Sequence, residues 1–132
     1  MTDRVLDASA LAHALIGKST AAAELRSAFR ATGCHAPHLI DAELGNVLRK
    51  RARAGDITTT QAVTALRAAR AVIDYRYPHT GTLADLAWSW RDTLSFYDAL
   101  YVALAARLEV PLVTADERLS TAPGLACMIE LI

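Results

Sequence analysis

The segment Arg4-Val5-Leu6-Asp7-Ala8-Ser9-Ala10-Leu11 is the stretch from which the fold of this 132-residue chain can be read. A short apolar run ends at Asp7, and such a run predicts a buried strand. Alanine and leucine follow at once, which predicts a helix that runs to about Ile16 and ends at Gly17. A strand that passes directly into a helix is typical of chains that build parallel sheets.

Strands and helices alternate along the rest of the chain. Residues 72–78 are compatible with a helix end or a strand, and the Tyr-x-Tyr alternation before Pro78 favours a strand. Further strands are predicted at 34–37, 112–114 and 127–132, and helices at about 19–32, 39–54, 58–73, 83–90 and 95–108. This order predicts one domain over residues 1–132, with a three-layer αβα fold in which helices flank a short, mostly parallel central sheet.

Two acidic residues follow predicted strands directly. Asp7 ends the first apolar run, and Asp116 comes after the apolar segment 112–115. In parallel sheets with helices on both faces, ligands bind beyond the carboxyl ends of the strands. We therefore expect both side chains at the edge of the sheet where a ligand would bind.

Two further acids are predicted on buried helix faces. Glu43 shares its face with the apolar residues Ile40, Leu44, Val47 and Leu48, and Asp98 opens a helix that is apolar nearly all round. Burying an unpaired carboxylate is costly, and only Arg118 and, more distantly, Arg4 lie near any of the four acids. A divalent cation would neutralise them, which indicates a metal-dependent enzyme.

Taken singly, three of these acids have a structural alternative. Asp7 and Asp116 can each cap the helix that follows, and Asp98 stands three residues after Ser95, at the spacing of a capping box. Glu43 has no such alternative, because the cations of its own helix lie a turn or more beyond reach. One shared site accounts for all four acids together.

The side chains available to this site have oxygen ligands only. Such ligands suit Mg²⁺ or Mn²⁺ better than zinc, and carboxylate clusters that hold these ions promote phosphodiester hydrolysis. Zinc-ligand spacing is lacking, so surface or packing positions are predicted for His13, His35, His38 and His79. Buried reduced thiols are predicted for Cys34 and Cys127.

Two other classes of acidic site fail on particular residues. A phosphatase with an aspartyl nucleophile needs a second Asp two residues after the first, where this chain has Ser9. A receiver domain needs an acidic pair after the first strand and a Lys after a late strand. The chain has only Lys18 and Lys50, and neither is in such a place.

Charge is unevenly distributed although the formal net charge is zero. Residues 1–76 carry 11 Lys and Arg against 7 Asp and Glu, whereas residues 77–132 carry 3 against 7. The basic excess is densest at Arg49, Lys50, Arg51 and Arg53. This run is compatible with contacts to a phosphate-bearing substrate, and equally with a solvated helix end before Gly55.

Four segments in this order resemble the PIN domain, and more narrowly the VapC-type ribonuclease toxins of toxin–antitoxin pairs. The match covers essentially the whole chain. It rests on Val5-Leu6-Asp7-Ala8-Ser9-Ala10-Leu11, on Pro37 with Glu43-Leu44-Gly45-Asn46-Val47-Leu48, on Tyr97-Asp98-Ala99-Leu100-Tyr101-Val102-Ala103-Leu104-Ala105, and on Leu112-Val113-Thr114-Ala115-Asp116-Glu117-Arg118-Leu119.

The resemblance implies an RNA endonuclease in which water activated by Mg²⁺ or Mn²⁺ hydrolyses the phosphodiester bond. It implies Asp7 and Asp98 as the primary metal ligands, with Glu43 and Asp116 completing the catalytic acidic pocket. Glu117 stands where relatives often carry Asn or Asp, which leaves its role open. The hydroxyls that would orient the carboxylates belong to Ser9 and Thr114.

The resemblance also implies an RNA substrate, a homodimer, and a small antitoxin whose C-terminal segment covers the active-site groove. The basic run at 49–53 would then lie beside the RNA. A housekeeping PIN nuclease of RNA maturation or decay, and a PIN-like module that binds a partner without catalysis, are the alternatives. The chain lacks a signal-peptide pattern and a membrane-spanning stretch, so a cytoplasmic protein without a membrane partner is expected.

Overall fold

A parallel sheet with helices on both faces forms the centre of the molecule. The computed structural model describes residues 2–132, and within them the five strands lie in the order β3-β2-β1-β4-β5. Every strand pairing in this sheet is parallel, so the sheet is wholly rather than mostly parallel. The strands are β1 (Arg4–Leu6), β2 (Cys34–Pro37), β3 (Tyr75–Tyr77), β4 (Leu112–Thr114) and β5 (Ile129–Leu131).

The helices begin and end close to the residues that the sequence indicates. Gly17 ends the first helix, and the side chains of Ser19, Thr58 and Ser95 cap later ones. The helices are α1 (Ala8–Ile16), α2 (Thr20–Ala31), α3 (Leu39–Arg53), α4 (Thr59–Val72), α5 (Thr82–Ala87), α6 (Phe96–Leu108) and α7 (Glu117–Ser120), with a 3₁₀ turn at Trp88–Trp90.

The helices form two layers, which confirms the three-layer prediction. Helices α1 to α4 contact one another in one layer, while α5 and α6 contact each other in the second. Helix α6 lies against β1, β2 and β4, and its residues 99–105 are all buried. The apolar sequence of α6 therefore reflects a helix enclosed between the sheet and its neighbours.

Two predictions about buried residues are wrong. The sequence pattern of α4 predicts Val63, Leu66, Ala69 and Ile73 on its inner face, but Val63 and Leu66 are 39% and 44% exposed. Ala69 and Ile73 are buried as predicted, and Ala65 is buried with them, because small side chains allow α4 to pack closely against its neighbours. Cys127 is only half-buried, whereas Cys34 is buried as expected, and both thiols are free.

The histidines take the positions expected of them: His13, His38 and His79 are exposed, and His35 is buried by packing. The ring of His35 hydrogen-bonds the Asp3 carboxylate and the Tyr77 hydroxyl. Within residues 2–132, no helix is long and apolar enough to cross a membrane.

Candidate active site

Asp7 is held at the carboxyl end of the central strand β1. Its Oδ1 accepts the backbone N–H of Ala10 at 2.9 Å, so it caps α1, and the Ser9 hydroxyl donates to the same oxygen at 2.6 Å. The Thr114 hydroxyl at the end of β4 donates to Oδ2 at 2.5 Å. Ser9 also accepts the backbone N–H of Ala115 at 2.9 Å. Asp7 therefore caps α1, and its carboxylate is held in place by the hydroxyls of Ser9 and Thr114. The hydrogen bond from Thr114 also joins the end of β4 to the end of β1.

Glu43 and Asp98 approach Asp7 from the two helix layers. Glu43 lies on α3, where its Oε1 accepts the buried hydroxyl of Tyr101 at 2.5 Å. Asp98 lies in the first turn of α6, where its backbone N–H is capped by Ser95. A cavity of about 250 Å³ is lined by all four predicted acids together with a few neighbours: Asp7, Ala8, Ser9, Glu43, Asn46, Val47, Asp98, Tyr101 and Asp116.

The environment of three of these acids disfavours their charged form. Burial raises the pKa of the Asp7 carboxyl, although hydrogen bonds from Ser9 and Thr114 partly offset this. Burial also raises the pKa of Asp98, and repulsion from Asp7 and Asp116 adds to the effect. The pKa of Glu43 is raised chiefly by burial, with the Tyr101 hydrogen bond opposing it. A cation among these acids would favour the ionised form of each.

Asp116 differs from the other three acids because it has a cationic neighbour. The Arg118 guanidinium donates to both of its carboxylate oxygens, at 3.2 and 2.9 Å, and this contact lowers the pKa of Asp116. The Arg118 side chain is itself 87% exposed. Asp98, Asp116 and Arg118 also line a second cavity of about 230 Å³ on the other side of the two acids. Glu117 is exposed at the start of α7 and lines neither cavity.

The comparison with known families agrees with this geometry, since the PIN domain model matches residues 4–125. The chain belongs to the PIN domain family. Ribonuclease VapC1 of Mycobacterium tuberculosis is 47% identical to it over 132 residues, which cover 100% of this chain and 99% of VapC1. The family relationship therefore extends to proteins named as VapC ribonucleases.

Solved structures have the same PIN fold. PAE2754 from Pyrobaculum aerophilum is 26% identical, with a TM-score of 0.72 over 97% of this chain and 90% of that chain. VapBC2 from Rickettsia felis, bound to a DNA fragment from its promoter, has a TM-score of 0.73 at 12% identity over 98% of both chains. The second likeness supports the fold alone, and it matches the sheet and helix order described above.

The donor set of this PIN domain fits a hard divalent cation that retains water ligands. Within residues 2–132, no three His, Cys, Asp or Glu side chains form a ready-made group that could hold a metal ion. Mg²⁺ does not require such a group, because it uses one or two carboxylates with water and substrate phosphate oxygens as the remaining ligands. Asp7 and Asp98 both line the cavity, and repulsion from Asp7 adds to the effect of burial in raising the pKa of Asp98.

Two residues of the PIN cavity were not assigned a role from the sequence. Tyr101 donates the hydrogen bond that holds Glu43, and Asn46 lines the cavity one helical turn after Glu43. The sequence contained an indication of both residues, because residues three apart on a helix are neighbours on its surface. Tyr101 stands three residues after Asp98, and Asn46 stands three residues after Glu43. Spacing alone did not reveal that Tyr101 would contact an acid on a different helix.

The basic run lies along the C-terminal half of α3, beyond the cavity. Lys50 and Arg53 share the face of α3 that carries Asn46, and both side chains are exposed. Arg51 instead pairs with Asp56 at 3.3 Å. Gly55, in the left-handed conformation, ends the helix and brings Asp56 back to accept this contact. Of these residues, Lys50 and Arg53 are therefore the better placed to meet a substrate.

Proposed function

We propose that this protein is an RNA-cleaving toxin of the VapC type, acting as a metal-dependent endoribonuclease. The observation that carries the proposal is the single cavity lined by four carboxylates in a chain of the VapC ribonuclease family. An alternative role as a non-catalytic binding module leaves this cavity without a purpose, because burial of three of the acids is costly in the absence of a cation.

Mg²⁺ or Mn²⁺ is the proposed cofactor, with Asp7 and Asp98 as its direct ligands and Glu43 and Asp116 near by. The bound ion would supply activation of a water molecule and neutralisation of charge on the scissile phosphate. Ser9 and Thr114 orient Asp7 through their hydroxyls. Glu43, a carboxylate of raised pKa beside the cavity, is suited to accept a proton from the attacking water.

Further parts of the proposal concern partners and location. An antitoxin is expected to cover the groove, because the proposed role is that of a VapC-type toxin. A homodimer is expected from the family, and Arg49, Lys50, Arg51 and Arg53 were expected to contact RNA. Among these four, Lys50 and Arg53 are retained as the principal candidates because Arg51 is paired with Asp56. A cytoplasmic location stays a prediction.

The toxin role is tested by inducible expression in a bacterial host. Wild-type protein is expected to arrest growth, and the Asp7→Asn and Asp98→Asn variants are expected to permit it. Western blots and circular dichroism establish that all three proteins accumulate and fold. A folded wild-type protein that leaves growth unaffected would contradict the toxin role.

Metal dependence is tested separately with purified protein and a labelled RNA. Cleavage is expected to stop in EDTA and to return with excess Mg²⁺ or Mn²⁺, while Ca²⁺ serves as a divalent control. Cleavage that persists in EDTA at the wild-type rate would exclude the metal mechanism and leave the ribonuclease assignment intact.

A further inference from the structure

Three large aromatic side chains are exposed on the segment that leads into Asp98. Trp88 is 59% exposed, Phe96 39% and Tyr97 59%. Soluble proteins normally bury such rings, and a group of exposed rings marks a surface that binds something. None of the three lines the catalytic cavity, so the acidic site does not explain their exposure.

The rings of this segment are arranged as a supported group. The ring of Phe96 meets Trp88 edge to face, with centroids 6.4 Å apart at an interplanar angle of 64°. The Arg91 guanidinium lies 5.4 Å from the centre of the Trp88 ring. Phe96 and Arg91 thus hold the orientation of Trp88 while most of its surface stays open to solvent.

This aromatic group adjoins the proposed active site along the chain and in space. The loop between Trp88 and Phe96 contributes Thr93, Leu94 and Ser95 to the second cavity, which Asp98, Asp116 and Arg118 also line. Tyr97 is the residue immediately before Asp98. An extended strand that left the acidic cavity along this loop would meet exposed aromatic rings and the exposed side chain of Arg91.

We propose that Trp88, supported by Phe96 and Arg91 and continued by Tyr97, is a stacking surface for unpaired RNA bases next to the scissile phosphate. This inference rests on the proposed ribonuclease function and adds the residues that would hold the unpaired bases of the substrate. Aromatic rings stack on any unpaired base, whereas the bases of a continuous duplex are stacked on one another and are unavailable.

RNA is taken as the occupant because Phe96 and Tyr97 directly precede Asp98, which lines the cavity proposed to cleave the phosphodiester. A second copy of this chain or an antitoxin would also bury exposed rings, and both are outcomes that the experiment distinguishes. Stacking further requires the base itself, so an RNA that lacks a base at one position reports on it directly.

The experiment measures binding to a short unstructured RNA by fluorescence anisotropy, with the full chain carrying Asp7→Asn so that the RNA is not cut. Adding Trp88→Ala is expected to weaken binding about tenfold, and Trp88→Phe by less, because one base stack is lost or only reduced. Tyr75→Ala is the matched control, since Tyr75 is 54% exposed on the edge strand β3. It is expected to bind RNA as the parent does.

Abasic versions of the same RNA complete the test. The parent protein is expected to lose affinity for an RNA lacking the stacked base, and the Trp88→Ala protein is expected to show no further loss for that RNA. Equal affinities of parent and Trp88→Ala would overturn the proposal. So would equal losses on intact, abasic and duplex RNA, or a change from dimer to monomer in sedimentation that accompanies the loss of binding.

The outcome is separable from that of the proposed function. Wild-type protein that cleaves RNA while Trp88→Ala binds and cleaves equally well would refute the stacking surface and leave the ribonuclease intact. Protein that binds RNA through Trp88 without cleaving it would refute the catalytic proposal and leave the stacking surface intact.

Discussion

Asp41 and Glu43 are two carboxylates on the same helix, only two residues apart, with opposite surroundings. Asp41 points to the β3 side, where the Arg76 guanidinium donates to both of its oxygens at 2.6 and 2.9 Å. Glu43 points into the cavity, where its side chain accepts a hydroxyl from Tyr101 and faces other acids. Helix geometry separates the two side chains, because residues two apart lie on different faces.

The contrast shows how surroundings distinguish a structural acid from a functional one. Arg76 also donates to the carbonyl oxygens of Ile73 and Ala69, so the Asp41 pair fixes the end of α4 against α3. Its charges are compensated within the chain. The charges of Asp7, Glu43 and Asp98 are left for something outside the chain to compensate, and that need gives the cavity its proposed affinity for a cation.

The largest expected difference in RNA cleavage is between a variant that neutralises Asp98 in the cavity and one that neutralises Asp41 in its pair with Arg76. Asp98→Asn is expected to lower the rate of RNA cleavage by at least about a hundredfold, because a direct metal ligand is lost. Asp41→Asn is expected to leave cleavage near the wild-type rate and to lower the free energy of unfolding by about 1 kcal/mol, a value limited by solvent screening of this half-exposed pair. Single-turnover cleavage and urea unfolding measure the two effects. Equal cleavage losses in both variants would contradict the distinction.

Removing the hydroxyl that holds Glu43 should have a smaller effect. Tyr101→Phe is expected to slow cleavage about tenfold and to raise the Mn²⁺ concentration needed for half-maximal rate, since Glu43 loses its donor but remains in place. Tyr77→Phe removes a hydroxyl that hydrogen-bonds His35 instead and is the control. An unchanged Mn²⁺ requirement in Tyr101→Phe would show that this hydrogen bond does not position Glu43 for metal binding.

The same comparison applies to cations. Arg51 is paired with Asp56, whereas within residues 2–132 no ion pair is formed by Lys50 or Arg53. Reversing Lys50 and Arg53, which share one face of α3, to Glu is expected to weaken RNA binding several-fold and to reduce the salt dependence of binding, with a log–log slope change of about 0.7 per lost phosphate contact.

Arg67→Glu with Arg70→Glu on α4 is the control for this double reversal, since it makes the same change in net charge on another exposed helix face. If both pairs of substitutions weaken binding equally, the effect is one of net charge, and the basic run is a solvated helix end.

The smallest expected effect is the pH dependence of stability. The pKa of Asp98 is raised in the folded protein, so its ionisation is harder there than in the unfolded chain, and metal-free protein loses stability as pH rises above about 4. In EDTA, Asp98→Asn is therefore expected to gain stability relative to wild type as pH rises. Saturating Mg²⁺ is expected to reduce or reverse the difference. A difference that is independent of pH, measured by thermal unfolding, would contradict a raised pKa of Asp98, which burial and then repulsion from Asp7 and Asp116 are taken to cause.

Local patterns predict the elements of this fold well, because strands and helices are encoded by residues close together in the chain. The apolar runs before Asp7 and Asp116, and the helix caps at Ser19, Thr58 and Ser95, are of this kind. The inner face of α4 was predicted correctly at Ala69 and Ile73 and wrongly at Val63 and Leu66, since large apolar side chains were taken as buried. Close helix packing places the small side chain of Ala65 on that face.

The side-chain contacts between residues far apart in the chain could not be predicted from the sequence. The four acids could be grouped from strand ends and helix faces, but the partner of Glu43 is Tyr101, 58 residues away on a different helix. The contact between Arg76 and Asp41 likewise joins residues 35 apart, and without it Arg76 appeared to belong to the basic excess. Such pairings depend on how layers stack, which residue spacing along one helix does not specify.

The order of the sheet bears on when the protein becomes active during its synthesis. Strand β1 leaves the ribosome first, yet it is the central strand and needs β4 as its second neighbour. Thr114, which holds Asp7, is made 107 residues later, and Asp98 and Asp116 are also late. Because synthesis proceeds at roughly 5–20 residues per second, several seconds separate Asp7 from its partners. A nascent chain therefore carries no assembled cavity until β4 and Asp116 have been added, so the site forms only near the end of synthesis.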